Sequence, residues 1–367
     1  MPTPLKALAE QGQSPWIDYL SRTFVNDGEF AGLVDDGIRG VTSNPTIFQA
    51  AIAEGDAYDE QLHEVLEHES DPKEVFLALA REDIRKACDL LRPVFDRGDA
   101  TRDGWVSLEV DPNLAADATA TTNEARRLHG MIARPNLFVK IPGTKAGLSA
   151  IEETVASGIP VNVTLLFSLE RHREAAEAYL RGLRRLRESG GDLATVASVA
   201  SFFVSRVDTE ADRRLEEIGG HDELRGKLAI ANAKLAYQTY KEIFSGSDWD
   251  ELVSAGASAQ RCLWASTSTK NPAYRDVIYV EELIGPGTVN TMPRETIDAF
   301  QDHGGVEPTL ERDLDGARRT LDELANAGVD YGDVVAVLER EGVEKFTKSF
   351  KELFEGVSAK REQFVAS

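Results

Sequence analysis

The chain has 367 residues, 42% of them apolar, which is enough to bury a large core and excludes wholesale disorder. Its 41 basic and 63 acidic residues give a formal charge of −22, which argues against binding nucleic acid or an anionic membrane through the general surface. Any anionic substrate would therefore need a local basic pocket. Two distant cysteines, Cys88 and Cys262, imply no disulfide framework, and the N-terminus lacks a signal-peptide pattern. We expect a cytoplasmic protein without a membrane span.

Short apolar runs that alternate with longer helical patterns predict eight strands. In chain order these are Trp16–Leu20, Ile38–Asn44, Gly104–Val110, Asn136–Ile141, Pro160–Phe167, Ala197–Val204, Arg261–Ser266 and Thr288–Thr291. Strands separated by helices favour parallel pairing. Eight such units predict an α/β protein, a single (β/α)8 TIM barrel with extra helices that spans residues 1–367 as one domain.

The connections contain clear helix signals. Asp71 and Pro72 begin one helix as N-cap and first-turn residue, and Ser168–Glu188 predicts another. The two long connections, 45–103 and 205–260, each have room for two helices. We expect a C-terminal helix that packs across the barrel, because four apolar residues share one of its faces: Phe346, Phe350, Phe354 and Val357.

A lysine lies in the middle of the fourth predicted strand. Strand residues alternate faces, so Lys140 shares the inward face with Phe138, while the aliphatic neighbours face the helices. A buried amine tends to be neutral, and a neutral amine is a nucleophile towards ketones and aldehydes. The alternative is that Lys140 extends to solvent at the strand end, and the strand alone favours neither interpretation.

Several other strands carry polar residues at alternate positions, on the face that would point into the barrel. These residues favour the interpretation of Lys140 as a buried nucleophile. They include Asp18, Thr42, Asn44, Ser107, Glu109, Asn162, Thr164 and Ser201. A single polar strand residue is usually a satisfied core group. Several together predict a polar cavity, which in a (β/α)8 barrel lies at the carboxyl end of the strands.

Six ordered motifs carry a resemblance to a known family. They are GVTSNPTIF from Gly40, VSLEVD from Val106, NLFVKIP from Asn136, VNVTLLF from Val161, ASFFVSRVD from Ala200 and LWASTSTKNP from Leu263. In this order and at these separations the chain resembles the transaldolase family over nearly its whole length. The resemblance implies a class I Schiff-base aldolase mechanism without a cofactor or metal, sugar-phosphate substrates, and a place in the non-oxidative pentose phosphate pathway.

The same resemblance implies roles for individual residues. Lys140 would form the Schiff base, and Asp18 would exchange the proton during carbon–carbon cleavage. Glu109 would shuttle protons through a water held with Thr164. The remaining residues would contact the bound sugar: Asn44, Asn162, Ser201 and Phe203.

Each of these residues also has a structural interpretation. Asp18 could cap the following turn, Asn44 before Pro45 could form a turn, and Glu109 could pair with Lys140 as a structural salt bridge. A buried pair of that kind is costly, which favours a function for it.

Phosphate binding is the least regular part of the resemblance. Arg206 would bind the substrate phosphate, although it could instead pair with Asp208 or Glu210. Ser266 matches the family pattern, but the arginine expected two residues later is absent. We assign Lys270 to this role, although a lysine lacks the bidentate fork of an arginine.

Two rival functions stay open. A fructose-6-phosphate aldolase shares the barrel and the lysine, but members of that group typically have Gln at the position of Glu109 and Tyr at that of Phe203. The other rival is a catalytically silent barrel that binds sugar phosphates.

The six histidines show no metal-ligand pair at helical spacing, so no metal is predicted. The sequence leaves monomer and homodimer equally open.

Overall fold

The computed structural model describes residues 2–43, 45–53, 56–97 and 102–366. Within these ranges, eight parallel strands form a closed barrel in chain order, with β1 also paired to β8. The strands are β1 Gln13–Asp18, β2 Gly40–Thr42, β3 Trp105–Glu109, β4 Leu137–Pro142, β5 Val161–Leu166, β6 Ser198–Phe203, β7 Arg261–Ala265 and β8 Thr288–Met292. The prediction of a (β/α)8 TIM barrel with extra helices is confirmed.

Helices surround the barrel and occupy the connections between strands. They are α1 Pro4–Glu10, α2 Arg22–Asn26, α3 Glu29–Asp36, α4 Pro45–Ala53, α5 Asp59–Leu66, α6 Pro72–Phe95, α7 Ala118–Ile132, α8 Gly147–Ala156, α9 Leu169–Glu188, α10 Ser205–Ile218, α11 Leu228–Ile243, α12 Ser247–Ser254, α13 Ile278–Glu281, α14 Arg294–His303, α15 Leu314–Asn326 and α16 Tyr331–Ala366. Asp71 caps α6 through its side chain, as predicted, and Ser168 caps α9, which confirms the helix predicted over Ser168–Glu188.

One prediction about local structure was incomplete and one was wrong. Within the described residues, the connections 45–103 and 205–260 each contain three helices, one more than the two for which the sequence indicated room, because α5 and α12 are only eight residues long. Strand β1 begins at Gln13 instead of Trp16. Its first residues are polar and include Pro15, which argue against a strand in sequence.

Aromatic side chains fill the barrel below its carboxyl end. The Phe138 ring centroid lies 4.1 Å from that of Trp105 and 6.2 Å from that of Trp16. Gly40 makes room for this stack, because a Cβ at that position would lie 2.4 Å from the Trp16 indole. We call Trp16, Trp105 and Phe138 the aromatic floor. It supports the polar residues one layer further along the strands.

The C-terminal helix α16 packs across the barrel, as predicted. Its apolar face is buried, with Leu353 and Val357 each only 1% exposed. The Thr46 hydroxyl donates to Ser349 Oγ at 2.8 Å, which ties α16 to α4. The helix therefore lies over the carboxyl end of the strands.

Candidate active site

Lys140 lies inside the barrel and does not extend to solvent. It is 5% exposed, and its Nζ lies 3.4 Å from Glu109 Oε2 and 3.4 Å from the Ser43 carbonyl oxygen. The register of β3, β4 and β5 aligns Glu109 with Lys140, and Lys140 with Asn162. The interpretation of Lys140 as a solvent-reaching lysine is therefore wrong. The amine sits in a polar layer formed by neighbouring strands.

Glu109 is placed for proton transfer at the lysine. Burial raises the pKa of Glu109 to about 7, and the charge and hydrogen bond of Lys140 oppose this rise. A carboxyl with this pKa can both accept and donate a proton near neutral pH. Glu109 Oε1 and Thr164 Oγ1 are buried and have no hydrogen-bond partner within the described ranges. Both atoms are thus available to a reactant or a water.

Asp18 ends β1 on the wall of the same cavity. Its Oδ1 accepts a 2.7 Å hydrogen bond from the Thr42 hydroxyl, whose oxygen lies 2.7 Å from Thr291 Oγ1. Burial raises the pKa of Asp18, while the charge of Lys140 and the bond from Thr42 lower it. The interpretation of Asp18 as a cap of the next turn is not supported, because Ser21 caps α2. The threonine pair fixes the orientation of the carboxyl group.

Asn162 is held by its neighbours on both sides. Its Nδ2 donates to Ser107 Oγ at 3.0 Å, and its Oδ1 accepts from Ser201 Oγ at 2.7 Å. All three residues are buried on the inward face of the strands. The amide is therefore preorganised beside Lys140, to which it is aligned in the sheet.

Arg206 reaches the outer part of the cavity. Its guanidinium carbon lies 4.9 Å from the ring centroid of Phe203, and burial lowers its pKa. The alternative pairing with Asp208 or Glu210 is wrong. Asp208 accepts hydrogen bonds from Ala229 N and the Tyr279 hydroxyl. Glu210 instead forms ion pairs with two other arginines of its own helix, Arg213 and Arg214.

The β7 end contributes the other predicted phosphate-binding residues. Ser266 Oγ lies 2.9 Å from Ser205 Oγ, and exposed Lys270 donates to Ser268 Oγ at 2.7 Å. Ser266 has a φ of 56°, a left-handed conformation that is uncommon outside glycine. Leu165, directly after Thr164, has a φ of 60°. Such strained positions cluster at functional sites, and both lie at this end of the barrel.

These side chains line one cavity of about 260 Å³. Of the residues predicted from sequence, eight are on its wall: Asp18, Lys140, Thr164, Ser201, Phe203, Arg206, Ser266 and Lys270. Glu109 and Asn162 lie directly behind Lys140. Asn44 falls outside the described residues. The structure therefore brings together all the other predicted site residues.

The wall also includes residues to which no role was assigned from sequence: Thr42, Thr291, Glu295, Lys345 and Phe346. Among them, Thr42 was predicted to face the cavity from its inward parity, but the other four were not. Nothing local to α16 indicates that Lys345 and Phe346 reach the cavity, because that depends on how the helix crosses the barrel.

The described ranges contain no group of three or more His, Cys, Asp or Glu residues arranged to hold a metal ion. They also contain no helix long and apolar enough to cross a membrane.

The fold and the cavity together define a class of protein. A buried lysine beside a carboxyl, at the carboxyl end of a (β/α)8 barrel, is the arrangement expected of a lysine-dependent aldolase. The model of the Transaldolase/Fructose-6-phosphate aldolase family matches residues 15–357. The chain therefore belongs to this family.

Curated relatives agree with this assignment. The chain is 50% identical to a transaldolase of Thermobifida fusca over 362 residues, covering 98% of both chains. It is 51% identical to a transaldolase of a Parafrankia species over 361 residues, covering 97% of this chain and 98% of the relative. It is 50% identical to transaldolase 1 of Streptomyces coelicolor over 358 residues, covering 96% and 94%.

Proposed function

We propose that this protein is a transaldolase of the non-oxidative pentose phosphate pathway. It transfers a dihydroxyacetone unit from a ketose phosphate, sedoheptulose 7-phosphate or fructose 6-phosphate, to an aldose phosphate, glyceraldehyde 3-phosphate or erythrose 4-phosphate. The observation that carries the proposal is the contact of buried Lys140 with Glu109 at 3.4 Å, on a cavity that also presents Asp18. The names of the relatives support the same activity.

The first stage joins the donor to the protein. The Lys140 amine, after it gives up a proton, attacks the ketose carbonyl carbon, and the carbinolamine then loses water to give an imine. Glu109, working through a water held with Thr164, accepts and returns the protons of these steps. Its pKa of about 7 suits both directions.

The second stage breaks the carbon–carbon bond. The protonated imine withdraws electrons, so the three-carbon fragment is retained as an enamine when the aldose leaves. Asp18 removes the hydroxyl proton that initiates cleavage, and the bond from Thr42 holds it in place. When the acceptor aldehyde binds, the enamine carbon attacks it and Asp18 returns the proton. A covalent intermediate between two half-reactions implies ping-pong kinetics.

The remaining predicted residues bind the sugar. Asn44, Asn162 and Ser201 contact its hydroxyl groups, and Phe203 packs beside them. The phosphate is bound by Arg206, with Ser266 and Lys270 nearby on the wall. A charge-assisted contact of this kind favours phosphorylated over free sugars. We propose that the protein acts in the cytoplasm as one barrel unit over 1–367, with no cofactor, no nucleic acid and no membrane partner.

The rival within the family is fructose-6-phosphate aldolase. It differs in releasing free dihydroxyacetone instead of passing it to an acceptor. Glu109 and Phe203 match the transferases, which is why we favour transfer. Accumulation of free dihydroxyacetone without acceptor, at rates equal to transfer, would reverse the choice.

The test is borohydride reduction in the presence of fructose 6-phosphate, followed by mass spectrometry. We expect a three-carbon adduct on Lys140 and none in Lys140→Met. Lys145→Met serves as the matched control, because Lys145 is an exposed lysine in the turn after β4. An intact, folded protein without an adduct on Lys140 would refute the Schiff-base proposal.

A further inference from the structure

Helix α16 delivers two consecutive side chains to the cavity, Lys345 and Phe346. Phe346 is 7% exposed, and its ring centroid lies 5.5 Å from Lys140 Nζ. This separation is within the range of a cation–π contact. The ring therefore lies over the nitrogen that the proposed chemistry uses, on the part of the cavity wall that α16 forms.

Gly342 allows α16 to approach this closely. A Cβ at Gly342 would lie 3.0 Å from Leu165 Cδ2 and 3.5 Å from the Phe167 ring. Residues three and four apart share a helix face, so Gly342, Lys345 and Phe346 point the same way. A helix-interior glycine costs roughly 0.5–1 kcal/mol relative to alanine. Here its lack of a side chain keeps the helix against the end of β5.

Lys345 stands in a group of like charges. The charge of Arg206, followed by partial burial and the charge of Lys270, lowers the pKa of Lys345. All three cations line the same cavity in a chain of net charge −22. The carboxylates of Asp18 and Glu295 on the same wall offset part of the mutual repulsion of these cations, and an anion bound between them would lower it further. A phosphate is the anion that the proposed substrates bring.

Building on the proposed transaldolase function, we propose that Lys345 and Phe346 form a cover on the active site. Phe346 is a positioning residue that keeps bulk water away from the Lys140 nitrogen, and Lys345 binds the substrate phosphate. The cover preserves the three-carbon intermediate until an acceptor arrives. This role goes beyond the residues assigned above.

The competing reaction shows what the cover prevents. The enamine takes a proton on carbon and becomes an iminium ion, and water adds to the iminium carbon. Collapse of the carbinolamine breaks its carbon–nitrogen bond, restores the Lys140 amine and releases free dihydroxyacetone. One water is consumed for each molecule released. Excluding bulk water slows this loss. The carbon–carbon bond to a bound aldehyde forms without water, and the product imine is then hydrolysed by the single water held by Glu109 and Thr164.

The first experiment measures how the three-carbon intermediate divides between release and transfer in Phe346→Ala. The rate at which free dihydroxyacetone forms from fructose 6-phosphate without acceptor is divided by the rate of transfer to erythrose 4-phosphate. We expect this ratio to rise about tenfold, equal to roughly 1.4 kcal/mol in relative barriers. Phe350→Ala is the matched control, since Phe350 lies one turn later, is buried against Phe76, and should leave the ratio unchanged.

The outcomes of that experiment test the cover and the transaldolase function separately. An unchanged ratio in a Phe346→Ala protein that still gives the Lys140 adduct overturns the cover but leaves the transaldolase proposal intact. Absence of the adduct in the unmutated protein refutes the proposed function itself. If Phe346→Ala does not fold, Phe346→Leu replaces it in the same measurement. We expect Phe346→Leu to raise the ratio about threefold, equal to roughly 0.6 kcal/mol in relative barriers. An unchanged ratio would again overturn the cover.

The second experiment separates the phosphate role of Lys345. Lys345→Met should raise KM for fructose 6-phosphate roughly three- to tenfold, as expected for one partly exposed charge contact, with kcat nearly unchanged. The KM for unphosphorylated fructose should not change. Lys348→Met is the control, because Lys348 lies on the same helix and pairs with Glu352 at 3.6 Å. An equal KM in Lys345→Met and the unmutated protein would remove Lys345 from the proposal.

Discussion

Replacing Glu109 by Gln is the sharpest test of the proposed proton shuttle. The substitution keeps the shape of the side chain and its ability to hydrogen-bond, but removes the group that titrates beside Lys140. Glu109 contacts Lys140 at 3.4 Å, and its other carboxyl oxygen is buried without a hydrogen-bond partner among the described residues. Loss of this carboxyl should therefore affect formation and hydrolysis of the imine. It should affect carbon–carbon cleavage much less, since we propose Asp18 as the base of that step.

The size of the effect follows from the chemistry and from the pKa. A positioned general acid–base group is worth about 10²–10⁴-fold in rate, so kcat/KM should fall within that range. With a pKa of about 7, roughly a tenth of Glu109 is ionised at pH 6 and roughly nine tenths at pH 8. If the carboxylate is the base in the first proton transfer, kcat/KM of the unmutated protein should fall about tenfold from pH 8 to pH 6.

The assay is kcat/KM for transfer from fructose 6-phosphate to erythrose 4-phosphate across this pH range. The substrate phosphate also titrates, with a pKa of about 6, and contributes to the profile of both proteins. Only the part of the decline centred near pH 7 should disappear in Glu109→Gln. Thr164→Val is a companion variant, which removes the hydroxyl that helps hold the water. Retention of more than a tenth of the activity by Glu109→Gln, with an unaltered pH profile, would refute this reasoning.

Three further predictions concern other parts of the molecule. Asp18→Ala should still give the borohydride adduct on Lys140 but lose about 10²–10⁴-fold in transfer, and loss of the adduct would show that the two roles are misassigned. Gly40→Ala should lower the free energy of unfolding in urea by about 1–3 kcal/mol, because its methyl group would overlap the Trp16 indole. Gly130→Ala is its control, since the helix site is open and should be neutral or stabilising. Finally, kcat/KM should rise or stay constant between low salt and 0.15 M, where the screening length is about 8 Å; a steep fall would show that the cavity cations dominate the approach.

The fold was predictable because several strands alternate polar and apolar residues, although β5 departs from this pattern where its pairing with β6 shifts register between Val163 and Leu166. Alternation alone placed Lys140 inward, and the same parity in neighbouring strands placed Glu109 and Asn162 beside it. Those residues are brought together by sheet register, which parallel pairing restricts to few possibilities. The start of β1 was not predicted because Pro15 and its polar neighbours do not resemble a strand in sequence. They adopt strand structure in the barrel, where they pair with β8.

The outer part of the site was less predictable for a physical reason. Whether Phe346 faces Lys140 depends on the crossing of α16 over the barrel, which is set by contacts such as that of Gly342 with Leu165. Those contacts join residues far apart in sequence, so no local pattern reports them. The apolar face of the helix was evident from sequence, but the direction in which its end points was not.

The aromatic floor has a consequence for how molecules travel through the protein. Trp16, Trp105 and Phe138 fill the barrel beneath Lys140, so the cavity is closed on that side, while α16 lines it on another. If the protein is the transaldolase that we propose, the departing and the arriving aldose phosphate share this cavity and its cations and must bind in turn. Under the same proposal, an excess of acceptor would occupy the empty cavity and compete with the donor.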